Sequence, residues 1–551
     1  MAIIDSDHSL TAQDVVADTP VQAGGYGDVR SSYCYLFDKL ANAEGADPDL
    51  GAAGLFTGSS PDETLMRLRA FEAVYRGLQF PIKPLRMKLA PVYTYFGQFV
   101  NHDISAPVGG LASEAASITP AVLIPGAAGD PPGLDKLVRA ESISPILDRV
   151  RNEHGAPLTL DSLYADGPQS SDPQVKAMYR ADGMRFVLAR TVRLDDTKIK
   201  EAFKGPGTVV HPVGGASDLP RENDEALIAD RRNDENLIIS QLHLAMMLLH
   251  NKAVDALHPQ NNNPAACFKA ARTLVTHHYQ WCVLHDYLKN LLSPGVLDNV
   301  LRQPPRLQAP NQVPMEFTAA AFRFGHSMVS AHYDYNANFG KGGSLRDHAK
   351  LQELFDFTSR RRMMPFPEAR QLPDHWVADW NRLTRPMADD QNGADRIDLL
   401  FAHDMLNQIT HGQNLHHASI FFRNVLRGFH RRIPFGQVLA KAYDIDPLTP
   451  PEVLAAFPEG LSGDDAAKWF DTQTPAWLYF LCEAQAKEGG ERLGPTASHI
   501  IADTIVGLLK LNKNSVLNTA GGAWHPQNSV LKTAAGLPLD SLRAMMMFAV
   551  E

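Results

Sequence analysis

Tyr95-Phe96-Gly97-Gln98-Phe99-Val100-Asn101-His102-Asp103 is apolar enough to be buried, yet it ends on an amide, an imidazole and a carboxylate in succession. If this stretch is helical, Gln98 lies one turn before His102 on the same face, and Asp103 points about 100° away. A polar pair facing one cavity with an acid aimed elsewhere suggests a site with two jobs. A second segment, Asp230-Arg231-Arg232-Asn233-Asp234-Glu235-Asn236, leads into an apolar run ending at His250-Asn251. Arg232 and Glu235 stand three apart, which on a helix brings them to one face. A third, Phe322-Arg323-Phe324-Gly325-His326, sets a lone imidazole behind a glycine that permits close approach of a flat ligand.

In identity, order and approximate separation these three segments resemble the animal-type haem peroxidases of the peroxidase–cyclooxygenase superfamily. The distal signature of that family is matched by Gly97 to Asp103, its R-x-x-E by Arg232 to Glu235, and its proximal F-R-[FY]-G-H by Phe322 to His326. Thr474-Pro475-Ala476-Trp477 and Gly490 to Pro495 resemble its C-terminal signatures, so the resemblance runs from about residue 50 to about 540. It implies a mainly α, large single-domain fold with haem between central helices and long loops. It further implies a bacterial-like member without a secretory signal: residues 1–49 an N-terminal extension packed on or wrapping the domain, residues 50–551 the haem peroxidase domain.

The activity implied is reduction of hydrogen peroxide through a ferryl intermediate and oxidation of a small donor, a phenol or a halide or thiocyanate. By resemblance His326 is the axial ligand of haem b, Asn424 its amide partner, and Arg323 a neighbour of a haem propionate. His102 is the acid–base, with an ordinary pKa of about 6.5. Arg232 supplies fixed positive charge, and Gln98 binds a distal water or small donor. Where many relatives carry an ester-forming Asp, this chain has Asn101; Glu235 matches the second ester-forming acid, so one ester or none is expected. Asn236 replaces a haem-linked Met of one specialised relative, excluding a sulfonium bond. Calcium is implied through Asp103 and a loop, Gly155 to Tyr164, in which Asp161 is retained, Thr159 replaces an acid and Gly155 lacks a hydroxyl.

Three other readings compete. A haem fatty-acid dioxygenase would carry a Tyr three residues before the proximal His, where this chain has Arg323. A scaffold that keeps the fold without turnover has no need of Gln98, His102, Arg232 and His326 together. A non-haem metalloenzyme would need ligand spacing that His277-His278 and His416-His417 lack.

The 551 residues show no Ser/Gly linker, low-complexity tract or repeat, and the Pro/Gly-rich stretches Pro107–Pro132 and Gly205–Pro220 read as loops within one domain. A net charge of −10 argues against nucleic acid as a partner, and Arg360-Arg361-Arg362 reads as solvated. No apolar run reaches the roughly 20 residues needed to span a membrane. The N-terminus lacks a secretory signal pattern, and the four cysteines lack metal-type spacing. A cytoplasmic protein is expected, or one exported without a cleavable signal. Helices are expected over Asp62–Tyr75, Leu237–Leu257, Ala270–Leu292, Pro314–Ser330, Asp395–Gln408, Pro434–Tyr443, Pro475–Lys487 and Pro495–Leu511, several with Pro near the first turn.

Overall fold

Asn236 stops the chain before a run of apolar residues by turning its side-chain oxygen onto the amide of Ile239 at 3.0 Å. The helix it starts, Leu237–Leu257, is buried on nearly every face, so the fold is built around it. The computed structural model describes residues 31–42, 61–78, 86–106, 147, 152, 157–203, 209–222, 225–260, 263–358, 366, 369–385, 393–402, 420–519 and 522–551. Among these the principal elements are β1 (Ser32–Cys34), α1 (Pro61–Gly77), α2 (Val92–Ile104), α3 (Leu237–Leu257), α4 (Pro264–Cys282), β2 (Gln312–Pro314), α5 (Ile420–His430), α6 (Ala476–Glu488), α7 (Pro495–Leu511) and α8 (Leu542–Val550). Strands among the described residues form only two-stranded pairs, so the domain is mainly α as expected.

Helix α3 packs against α2, α4 and α8, and α6 packs against α5, α7 and the turn that carries His326. Leu242 and Leu249 on α3 are fully buried, and truncating either to Ala should cost about 2–5 kcal/mol. Asn263 caps α4 through the amides of Ala265 and Ala266, with Pro264 at the first helical position. Past Cys282 the helix widens into a six-residue π-turn, Val283–Leu288, before a last α-turn to Leu291.

The expected bounds of α3 and α7 coincide with those found. The helix expected over Pro314–Ser330 is broken. Met315–Ala319 is α-helical, Ala320 leaves helical geometry at φ −135° and ψ −67°, and Ala321–His326 is a tight 3-10 turn. Stacking of Phe317 on Phe322, ring centroids 4.5 Å apart, holds the break closed. The helix expected over Asp395–Gln408 is absent from residues 395–402, and 403–408 lie outside the described residues, as do Pro107–Pro132, Arg360–Arg362 and His416-His417.

Of the expected N-terminal extension, residues 31–42 are described, and they lie on the domain. β1 pairs in parallel with β2, and Glu316 accepts the amides of Leu36 and Phe37 at 3.0 Å each. All four cysteines are free thiols. Among the described residues no helix is long and apolar enough to cross a membrane.

Candidate active site

Helix α2 is largely apolar, and Gln98, Asn101 and His102 fall within one turn on one of its faces. Gln98 and Asn101 line a small cavity beside His326. Its other walls include Arg323, Phe324, Gly325 and His326 from the 3-10 turn, and Tyr287 from the π-turn. A Cβ built on Gly325 would meet nothing within 4 Å, so open space lies directly before the backbone beside His326. A Cβ on Gly97 would instead fall 2.3 Å from the Tyr287 hydroxyl, so a larger residue there would have to displace the Tyr287 ring.

His326 is buried, and its Nδ1 lies 2.8 Å from the side-chain amide of Asn424 on α5. As placed, the amide nitrogen faces the ring and the buried oxygen has no hydrogen bond. Turning the amide over lets that oxygen accept from Nδ1–H, which leaves Nε2 as a lone-pair donor. Arg323 lines the cavity and is anchored by Nε donating to the carbonyl of Thr318 at 2.7 Å.

On the opposite wall, His102 is fully buried behind Gln98 and Asn101 and does not itself border the cavity. Its Nδ1 meets Oδ1 of Asn233 at 2.8 Å, and the amide nitrogen of Asn233 meets Nδ1 of His243 at 3.0 Å. Burial lowers the pKa of His243 to about 4, so its ring is neutral and can accept from that amide. Asn233 is thereby oriented with its oxygen toward His102, which holds the proton on Nδ1 and leaves Nε2 basic. The sequence reading missed both Asn233 and His243. Asn233 lies inside the R-x-x-E segment, and His243 is a polar residue in an otherwise apolar helix; those were the available signals.

Arg232 is found elsewhere than expected. Its guanidinium pairs with Asp230 at 2.6 Å and donates to the carbonyls of His102 at 3.0 Å and Ser105 at 2.9 Å. The last carbonyls of α2 have no intrahelical partners, and a nearby cation satisfies them. Glu235 sits one side chain behind the cavity wall. Gln98 donates to it at 3.4 Å and accepts from Asn236 at 3.3 Å.

Asp103 leaves the opposite face of α2 and is fully buried. Its oxygens accept the amides of Leu160 at 3.1 Å and Ser162 at 3.4 Å. Asp161 receives the Thr159 hydroxyl and the Arg272 guanidinium, each at 2.9 Å. Gly155 lies outside the described residues. These oxygens accept from protein donors, which does not fit the calcium cage that the resemblance implies. Among the described residues no group of three or more His, Cys, Asp or Glu is placed to hold a metal ion.

Residues 200–434 match the family described as animal haem peroxidase. Peroxidase A from Dictyostelium discoideum is similar in structure, at 15% identity over 88% of each chain with a TM-score of 0.53. A fatty acid alpha-dioxygenase from Oryza sativa is similar at 12% identity, over 96% of this chain and 85% of that one, with a TM-score of 0.52. A peroxidase-like protein from Margaritifera margaritifera is 26% identical over 147 residues, and the match spans 18% of its length. The family match over residues 200–434 and the likeness of fold both support a relationship to the animal-type haem peroxidase, or peroxidase–cyclooxygenase, superfamily.

Proposed function

We propose that this protein is a haem peroxidase that reduces hydrogen peroxide and oxidises a small donor, with residues 50–551 as its catalytic domain. One observation carries the reading: a cavity bounded on one side by a buried, amide-backed imidazole and on the other by a helix face with a tautomer-fixed histidine behind it. The wall residues suit a haem. His326 would hold the haem iron through Nε2 with Asn424 fixing its ring, Gly325 leaves open space for a flat group, and Arg323 would offer a cation to a haem carboxylate. When bound, the haem supplies the iron at which peroxide is reduced and from which the donor is oxidised.

The chain's own contribution is acid–base positioning. In this reading His102 would act through Nε2 as the acid–base for hydrogen peroxide, from a position set back from the cavity lining. Asn233 keeps Nδ1 protonated throughout, so that Nε2 is always the working atom. Arg232 fixes the carbonyl end of α2 beside His102. Gln98 presents its amide to the cavity and orients a water or small donor there. Glu235 is the one carboxylate of the pair left for an ester link to a haem methyl, because Asn101 lacks the acid.

The test is spectroscopic. Protein expressed with haem available should show a Soret band, and His326→Ala should lose most of its haem on purification. Full occupancy with an unchanged spectrum in that variant would show that His326 is not the ligand. The structural likeness to the Oryza dioxygenase favours a second reading, oxygenation of a fatty acid. Incubating the haem-loaded protein with linoleate and oxygen separates the two, since only that reading yields hydroperoxide products.

A further inference from the structure

We infer that Arg272 replaces calcium in this protein: the loop 157–165 is built as a metal-free lock in which an arginine supplies the cation. Calcium takes six to eight oxygens at 2.3–2.6 Å, and here the oxygens in reach are already turned to other donors. Both Asp103 oxygens accept N–H groups of the loop. The Leu158 carbonyl accepts Nε2 of Gln280 at 2.8 Å. The Leu160 carbonyl accepts the amides of Leu163 at 3.0 Å and Tyr164 at 2.9 Å, and that of Asp161 accepts Ala165 at 2.9 Å.

The backbone explains why the loop offers donors inward. Leu158, Leu160 and Ala165 hold φ of +63°, +61° and +45°, left-handed values that side chains other than glycine rarely adopt. Left-handed residues alternating with ordinary ones turn successive N–H groups to one side, the arrangement that cradles an anion. The cradled anion is the Asp103 carboxylate. A ring of carbonyls for a cation would need the opposite facing.

Charge points the same way. With Thr159 in place of an acid, Asp103 and Asp161 are the two carboxylates of the loop's centre, and neutral amides already stabilise the first. The second charge is on Asp161, which accepts the Thr159 hydroxyl and which Arg272 meets at 2.9 Å. The guanidinium also lies over the Tyr164 ring, 4.9 Å from its centroid, a contact that suits a flat cation and that a hydrated metal ion would not make. Arg272 and Gln280 both project from α4, so that one helix clasps the loop at both ends of its turn.

Three measurements on the full-length protein test this. Metal analysis after purification should find far less than one calcium per chain, and the Tm should be the same in EGTA as in millimolar calcium chloride. A stoichiometric calcium, or a Tm that climbs with calcium concentration, would overturn the inference. Arg272→Gln should lower Tm by about 1–3 °C, with Arg272→Lys recovering part of the loss; a parental Tm for Arg272→Gln would also overturn it. Should Arg272→Gln fail to fold, hydrogen exchange on the parent still decides. The Leu160 and Ser162 amides should be equally protected with EGTA or calcium, and protection gained only with calcium refutes the assignment. None of these readouts depends on peroxidase activity.

Discussion

Asn233 is where the proposed chemistry is most exposed to test. It is fully buried and makes two contacts, with His102 at 2.8 Å and His243 at 3.0 Å. Asn233→Ala leaves two buried ring nitrogens without those contacts, at a cost of about 1–3 kcal/mol each. The larger effect is kinetic. Without the amide oxygen the proton of His102 is free to move to Nε2, and the base that contributes roughly 10²–10⁴-fold is then in the wrong tautomer. Stopped-flow mixing of the haem-loaded variant with hydrogen peroxide should give a second-order rate constant lower by about 100-fold. Asn233→Asp asks a sharper question. A carboxylate beside Nδ1 stabilises the imidazolium and raises the His102 pKa by about 1–3 units. Since the base must be neutral to accept a proton, the acid limb of the pH–rate profile should move up by the same amount. A parent-like rate constant in Asn233→Ala together with an unshifted limb in Asn233→Asp would refute the relay, even if haem binding through His326 stands.

The remaining expectations are these. His102→Ala should slow the reaction with peroxide by orders of magnitude, and Arg232→Ala should add less in that background than alone, because a residue that acts by placing His102 has nothing left to place. Acid–butanone should extract haem from fresh protein and extract less after peroxide treatment, whereas in Glu235→Gln the haem should stay extractable throughout; a Glu235→Gln protein that becomes covalently linked as readily as the parent would exclude Glu235. Acid should destabilise the fold. Burial holds His243, His250 and His278 at about 4 and His375 at about 3. Each therefore contributes stability that is full above the unfolded value of about 6.5 and lost as pH falls toward 4, about 2 kcal/mol apiece by pH 5. Glu316 and Glu483, raised by burial to about 7, work in the opposite sense. Each gains about 2 kcal/mol between pH 7 and 5, so four losses outweigh two gains. Urea midpoints should fall between pH 7 and 5, and midpoints that rise instead would show that the histidines are not held neutral.

How much of this could be read in the sequence depended on whether the signal was local. Helix α3 announces itself by an unbroken apolar run, and α7 by Pro495 in its first turn, and their ends agree with those found. The segment Pro314–Ser330 carries the same apolar density, yet stacking of Phe317 on Phe322 and the tight turn at Ala321–His326 override the helical period. Nothing within the segment reports that packing. The site shows the same division. His326 and Gln98 stand in compact motifs, whereas the pairing of Asn233 with His243 depends on how the 3-10 turn before α3 folds back against the helix. The placement of Arg232 likewise depends on where α2 ends, which residue spacing does not encode.

The π-turn at Val283–Leu288 gives the C-terminus an unexpected hold on the cavity. Widening the helix there sends Tyr287 to the cavity wall and, one residue earlier, sends Asp286 outward to two other elements. Asp286 accepts the Tyr93 hydroxyl of α2 at 2.5 Å and the amide of Leu542, the first residue of α8, at 2.7 Å. The last helix is therefore tethered, through one carboxylate, to the residue beside the Tyr that bears on Gly97. A purification tag that tugs on α8, or a truncation that removes it, is a perturbation of the cavity wall and not of a remote tail. An affinity handle on this protein belongs at the other end.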